Sequence, residues 1–218
     1  MSEKLTYQER LKFEMMVKEQ GGVIVAGVDE AGRGPLAGPV VAACVIFDVD
    51  KEFPDADDSK KLTEKKRDEL YEKIIESCIS YGVGIIPASV IDEVNILQAT
   101  YLAMKNAVTE ALSDLSENPH YSINNGKIDL LVDHVHIPNL PGNILQRSIT
   151  HGDALSVSIG AASIIAKVTR DRIMTEMDSY YPGYGFAKHK GYGTKAHYEA
   201  IKSQGLCEIH RRSFLKNI

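Results

Sequence analysis

The sequence predicts an α/β fold in which a mixed central sheet is flanked by helices, with a small helical part at the C-terminus. Three observations lead there. Apolar runs of strand length alternate with amphipathic stretches of helical length, the alternation lacks a strict βαβ rhythm, and a 44% hydrophobic content in 218 residues is enough to fill one sizeable core. No internal repeat, low-complexity tract or long linker divides the chain.

Taken in order, residues 3–19 carry helical periodicity, and Gly21-Gly22 ends it. Val23 to Val28 reads as a buried strand and Val40 to Phe47 as a second. Thr63 is placed to cap a helix that runs to about Ser80, with Glu64 in its first turn. Tyr81 to Ile86 follows as a third strand, and Ile96 to Leu115 as a helix. Ile128 to Val132 and Ile144 to Ile149 are short strands, the first closing on Asp133. Asp153 then opens, as N-cap, a long helix that reaches about Tyr180. The last forty residues read as loops with helix around Thr194 to Gln204.

Composition narrows the setting. The longest apolar run, Val40 to Phe47, is eight residues against the roughly 20 of a membrane span, so no membrane role is expected. Charges throughout Met1 to Gln20 leave no apolar centre for a secretory signal, which points to the cytoplasm. Cys44, Cys78 and Cys207 are odd in number and far apart, as expected of reduced structural thiols. The net charge of −5 conceals an asymmetry, because Ile165 to Ile218 holds ten Lys and Arg against five acids. A basic end on an acidic body suits a nucleic-acid partner on one face and cations on another.

The first site candidate is Gly27-Val28-Asp29-Glu30-Ala31-Gly32-Arg33-Gly34-Pro35-Leu36-Ala37-Gly38-Pro39. Gly32-x-Gly34-x-x-Ala37 satisfies a loose dinucleotide fingerprint, but Pro35 and Pro39 stand where the phosphate-binding helix should propagate. Asp29 and Glu30 at a strand end can instead face one site, and carboxylates without His or Cys partners suit Mg²⁺ or Mn²⁺ better than zinc. Asp133 and Asp153 stand where element ends would aim them into the same cleft. Each acid alone is an ordinary polar turn or cap. Together they repel, and such a group is costly to gather without a cation between its members. His134-x-His136 could chelate zinc, but no third ligand has the usual spacing.

On these residues the chain resembles bacterial ribonuclease HII from about Val23 to Phe214. The motifs are Gly27 to Val40, then Asp58-Ser59-Lys60-Lys61-Leu62, then Gly152-Asp153 with Ala161 to Asp171, and His189-Lys190-Gly191-Tyr192-Gly193-Thr194. The resemblance implies a ribonuclease H-like fold, with residues 22–218 as the catalytic domain and 1–21 as an N-terminal helical extension. From about 180 the catalytic domain is helical. It implies a site of Asp29, Glu30, Asp133 and Asp153 holding two Mg²⁺ or Mn²⁺ ions. Asp29 would be shared, Asp153 would serve the water-activating ion, and Glu30 and Asp133 would complete the other. The implied substrates of this monomer are RNA–DNA hybrids and DNA duplexes containing single ribonucleotides. Cutting 5′ of the ribonucleotide, to leave 5′-phosphate and 3′-hydroxyl ends, would serve ribonucleotide removal in replication and repair.

The same resemblance assigns the 2′-hydroxyl reader to Gly32, Arg33 and Gly34, whose glycines let backbone groups approach the sugar. It places Tyr192 on the deoxyribose that follows. Lys60, Lys167 and Arg170 are the expected phosphate contacts, the last two on one helix face at i, i+3. Gly160, Ala161, Ala162, Ser163 and Ala166 are expected only to pack that helix against the sheet. Three positions depart from the family pattern: His134 after Asp133, His151 in place of a usual Lys, and Gly160 where Ala is common.

Overall fold

The computed structural model describes residues 5–56, 62–117, 121 and 127–216. In chain order its elements begin α1 (Tyr7–Arg10), α2 (Lys12–Glu19), β1 (Ile24–Ala31), β2 (Val40–Asp48), α3 (Glu64–Ser77), β3 (Ser80–Ile86), α4 (Ala88–Val94) and α5 (Ile96–Glu117). They continue β4 (Ile128–Asp133), β5 (Ile144–Ile149), α6 (Gly152–Leu155), α7 (Val157–Tyr180), α8 (Phe186–His189) and α9 (Lys195–Gln204). The strands form one sheet in the order β3-β2-β1-β4-β5. β1, β2 and β3 pair antiparallel, while β4 runs parallel to β1 and β5 to β4, giving the mixed sheet expected.

β2 is a continuous apolar run because both of its faces are covered. Val40, Ala42, Cys44 and Ile46 enter the core shared with α5, and Ala43, Val45 and Phe47 enter the one shared with α7. α7 packs tightly on the sheet at Gly27, where an added Cβ would lie 2.1 Å from the carbonyl carbon of Ser158. An alanine there would force strand and helix apart, at a cost of about 1–3 kcal/mol. This contact sets the start of α7 against the centre of β1.

The structure departs from the expected elements at four places. The first helix is two: Thr6 caps α1 in a capping box with Glu9, and Leu11 separates α1 from α2. β1 continues three residues beyond Val28, because its ladder with β2 runs to Ala31 opposite Val41. α4 was not foreseen; seven residues after Pro87 are too few for a clear period. The long helix expected from Asp153 breaks at Ser156, which is extended (φ −131°, ψ 130°) and caps α7 with its own side chain on the Ile159 N–H. Asp153 is therefore not an N-cap but lies in the first turn of α6, whose cap is His151 in the left-handed region at φ 59°.

Beyond α7, the chain folds back through α8 and α9 to a 3-10 turn at Arg212–Phe214. Its apolar residues Phe186, Ile201 and Leu215 share a third core with Leu36, Ala37 and Met174, so the C-terminal part packs on the glycine-rich loop after β1. Among the described residues, no helix is long and apolar enough to cross a membrane.

Candidate active site

β1 and β4 are parallel neighbours with Val28 opposite Val132, so Asp29 and Asp133 emerge side by side at their carboxyl ends. The two-residue period puts both on the α7 face, with Val25 and Leu131. Asp29 is 4% exposed, accepts the Glu30 N–H at 2.7 Å through Oδ1, and is hydrogen-bonded by the Ser163 side chain on α7. Asp133 accepts the Gly152 N–H at 2.7 Å. That bond ties the turn carrying the buried Asp153 to the strand end. Glu30 accepts from Arg33 Nη1 at 3.2 Å through Oε1, and its buried Oε2 has no hydrogen-bond partner.

Burial, and then the charges of Glu30 and Asp133, hold the Asp29 carboxyl well above the ordinary carboxylate range. Burial raises Glu30 as well, with the Arg33 guanidinium opposing it. Crowded carboxylates and an orphaned buried oxygen are the donor set that a hard divalent cation satisfies. Among the described residues, no three acid, imidazole or thiol groups already stand at ligand geometry, so water or substrate oxygens would complete the shell of a bound ion.

Beside the acids lies a cleft of about 240 Å³ lined by Glu30, Gly32, Arg33, Ser163, Lys167 and Tyr192, among others. Its loop is held from behind by two buried arginines. Arg211 donates to the carbonyls of Gly32 at 2.6 Å, Arg33 at 2.9 Å and Gly38 at 2.9 Å. Arg170 donates to those of Pro39 at 3.0 Å, Ala37 at 3.1 Å and Lys190 at 3.0 Å. Gly32 sits at φ +92°, and a Cβ there would meet the Arg170 side chain at 2.0 Å, so glycine is required on both counts. Tyr192 is 45% exposed, and its ring stands across from Gly34.

Most of the expected site residues thus meet. Asp29, Glu30 and Asp133 adjoin one another, Asp153 reaches them through Gly152, and Gly32, Arg33, Gly34, Lys167 and Tyr192 surround the neighbouring cleft. Lys167 is paired with Asp171 at 2.7 Å at its edge. Arg170 is a correction: it is fully buried, and its guanidinium faces backbone carbonyls instead of a phosphate. Lys60 lies outside the described residues. The sequence does not single out Ser163 or Arg211 as site residues; the one available signal is a lone serine in the alanine stripe of α7.

The Ribonuclease HII family pattern matches residues 26–217. The chain is 52% identical over 215 residues to the ribonuclease HII of Clostridioides difficile, covering 97% of this chain and 79% of that one. Among solved structures it resembles the ribonuclease H2 of Pyrococcus horikoshii, with a TM-score of 0.61, 26% identity, and coverage of 87% and 93% of the two chains. Bst-RNase HIII, solved in complex with Mn²⁺, shares the fold with a TM-score of 0.61 at 15% identity, over 84% of this chain and 63% of that one.

Proposed function

The chain belongs to the ribonuclease HII family and is a metal-dependent endoribonuclease of the ribonuclease H class, and on that footing we propose that it cuts both the RNA strand of RNA–DNA hybrids and DNA duplexes at single embedded ribonucleotides. In the duplex it breaks the phosphodiester on the 5′ side of the ribonucleotide, leaving 5′-phosphate and 3′-hydroxyl ends, a reaction suited to ribonucleotide removal during replication and repair. The observation that carries this reading is the adjacency of the acidic strand ends to a cleft that joins Gly32-Arg33-Gly34 to Tyr192.

Asp29, Glu30, Asp133 and Asp153 would hold two Mg²⁺ or Mn²⁺ ions. Held there, the ions would supply activation of a water and charge stabilisation of the departing 3′ oxygen. Ser163 and the Glu30 N–H orient Asp29. The Gly32-Arg33-Gly34 backbone, fixed by Arg211, approaches the 2′-hydroxyl, which is what distinguishes a ribonucleotide from its neighbours. Tyr192 stacks on the next sugar and Lys167 faces a phosphate. The test is to incubate the protein and Mg²⁺ or Mn²⁺ with a DNA duplex holding one ribonucleotide, beside a long RNA–DNA hybrid, and map the cuts. Cleavage 5′ of the single ribonucleotide is expected; a protein that cut only the long hybrid would overturn the junction reading.

A further inference from the structure

His134 connects two parts of the site that the reaction uses separately. It follows Asp133 at the end of β4 in the left-handed region, at φ 42°, held there by its N–H donating to the Ile149 carbonyl at 3.0 Å. That turn points the imidazole back over the acids. Nδ1 lies 3.1 Å from Asp133 Oδ2, and Nε2 lies 2.9 Å from Arg33 Nη1. The same Nη1 is 3.2 Å from Glu30 Oε1.

The partners determine the tautomer. A carboxylate only accepts and a guanidinium only donates, so Nδ1 carries the hydrogen and Nε2 presents a lone pair to Arg33. One ring thereby serves both neighbours. Arg211 fixes the Arg33 carbonyl from the core side, so His134 and Glu30 together fix its side chain from the cleft side.

We propose that His134 is a positioning residue that ties Arg33 of the ribose-reading loop to Asp133, setting loop and acids in one register so that the sugar is read only when its phosphate is aligned. This rests on the reading of the cleft given above. A residue whose two ring nitrogens serve different neighbours can be divided by substitution. The amide nitrogen of Asn falls near Nδ1, so His134→Asn keeps a donor for Asp133 and loses the acceptor for Arg33. Asn also tolerates a left-handed backbone. The carbonyl of Gln reaches the Nε2 position, so His134→Gln keeps the acceptor and loses the donor.

The experiment measures kcat and KM for wild type, His134→Asn and His134→Gln on the single-ribonucleotide duplex and on a long hybrid, with a Mg²⁺ titration on the hybrid. His134→Asn should lower the preference for the single ribonucleotide by roughly tenfold, the scale of a hydrogen bond to a charged group, chiefly through KM. His134→Gln should hold that preference within about threefold and need more Mg²⁺ for half-maximal cleavage. Arg33→Ala should add little to His134→Asn if the two residues act as one unit. Equal losses on both substrates in both variants, with an unchanged Mg²⁺ requirement, would reduce His134 to a structural turn and overturn the proposal. A wild type that ignored the single ribonucleotide would instead overturn the junction reading, and the Mg²⁺ titration would still test the link to Asp133.

Discussion

Burial and the charges of Glu30 and Asp133 raise the Asp29 carboxyl, so the metal-free folded protein keeps a proton at Asp29 at pH values where the unfolded chain has released it. The stability this group contributes is therefore complete below the unfolded carboxylate value and is lost as pH rises through the folded one. Asp29→Asn should cut cleavage by orders of magnitude and yet raise the melting temperature of the metal-free protein at neutral pH. The gain should be about 2–4 °C for each kcal/mol relieved in a chain of this size, and it should vanish toward acid. Full activity in folded Asp29→Asn would remove it from the site. Tyr192, opposite Gly34, gives a second test. Tyr192→Ala should lose roughly tenfold to a hundredfold at the single ribonucleotide, while Tyr192→Phe, which keeps the ring, retains most cleavage. Asp29 and Asp133 were legible because strand periodicity and motif both place them. Arg170 was misread because an arginine three residues from Lys167 looks like a surface neighbour, and sequence alone does not show that loop carbonyls enclose it.

Among the elements, the junction of α6 with α7 decides where Asp153 stands. The break at Ser156 was not legible, since Asp153 to Val157 contains no helix breaker, and its cause is tertiary. Glu14, buried on α2, accepts from Ser156 Oγ at 2.5 Å, Ser158 Oγ at 2.7 Å and Ser158 N–H at 3.0 Å. A carboxylate at the N-terminus of α7 also complements the helix dipole. The N-terminal helices thus hold the turn that presents Asp153. Glu14→Ala strands these buried donors and should cost about 1–3 kcal/mol. It should also lower kcat more than it raises KM, by displacing Asp153. Thermal melts and steady-state kinetics check both, and a stable variant with unchanged kcat would make α2 mere packing. By contrast, the cap at Thr63 and the end at Gly21 were legible because their signals are local.

Over the whole molecule, the sheet is enclosed by two cores of apolar side chains that do not depend on the acids, so chelation should abolish cleavage and shift the melting temperature by only a few degrees. The third core is more sensitive, because histidines run through it to the cleft. The Cys207 N–H donates to His210 Nδ1 at 2.9 Å, which leaves the hydrogen on Nε2 to face His197 Nε2 at 3.1 Å. His197 then carries its hydrogen on Nδ1, toward the Tyr192 carbonyl at 3.0 Å. A proton added to either ring puts a hydrogen against a donor. Burial and the neighbouring His197 push His210 down to about 4, and burial lowers His197 too. For bases lowered on folding, the contribution to stability is complete above the unfolded value of about 6.5 and is lost as pH falls through the folded one. The melting temperature should therefore decline between about pH 6.5 and 4, and His210→Gln, which cannot take up a proton, should flatten that limb. Because the chain of bonds ends on the backbone of Tyr192, acid should also weaken discrimination at the single ribonucleotide before the sheet unfolds. Cleavage ratios on the two substrates at pH 7.5 and 5.5, read beside circular dichroism, decide it; a constant ratio down to the unfolding pH would uncouple this core from the cleft.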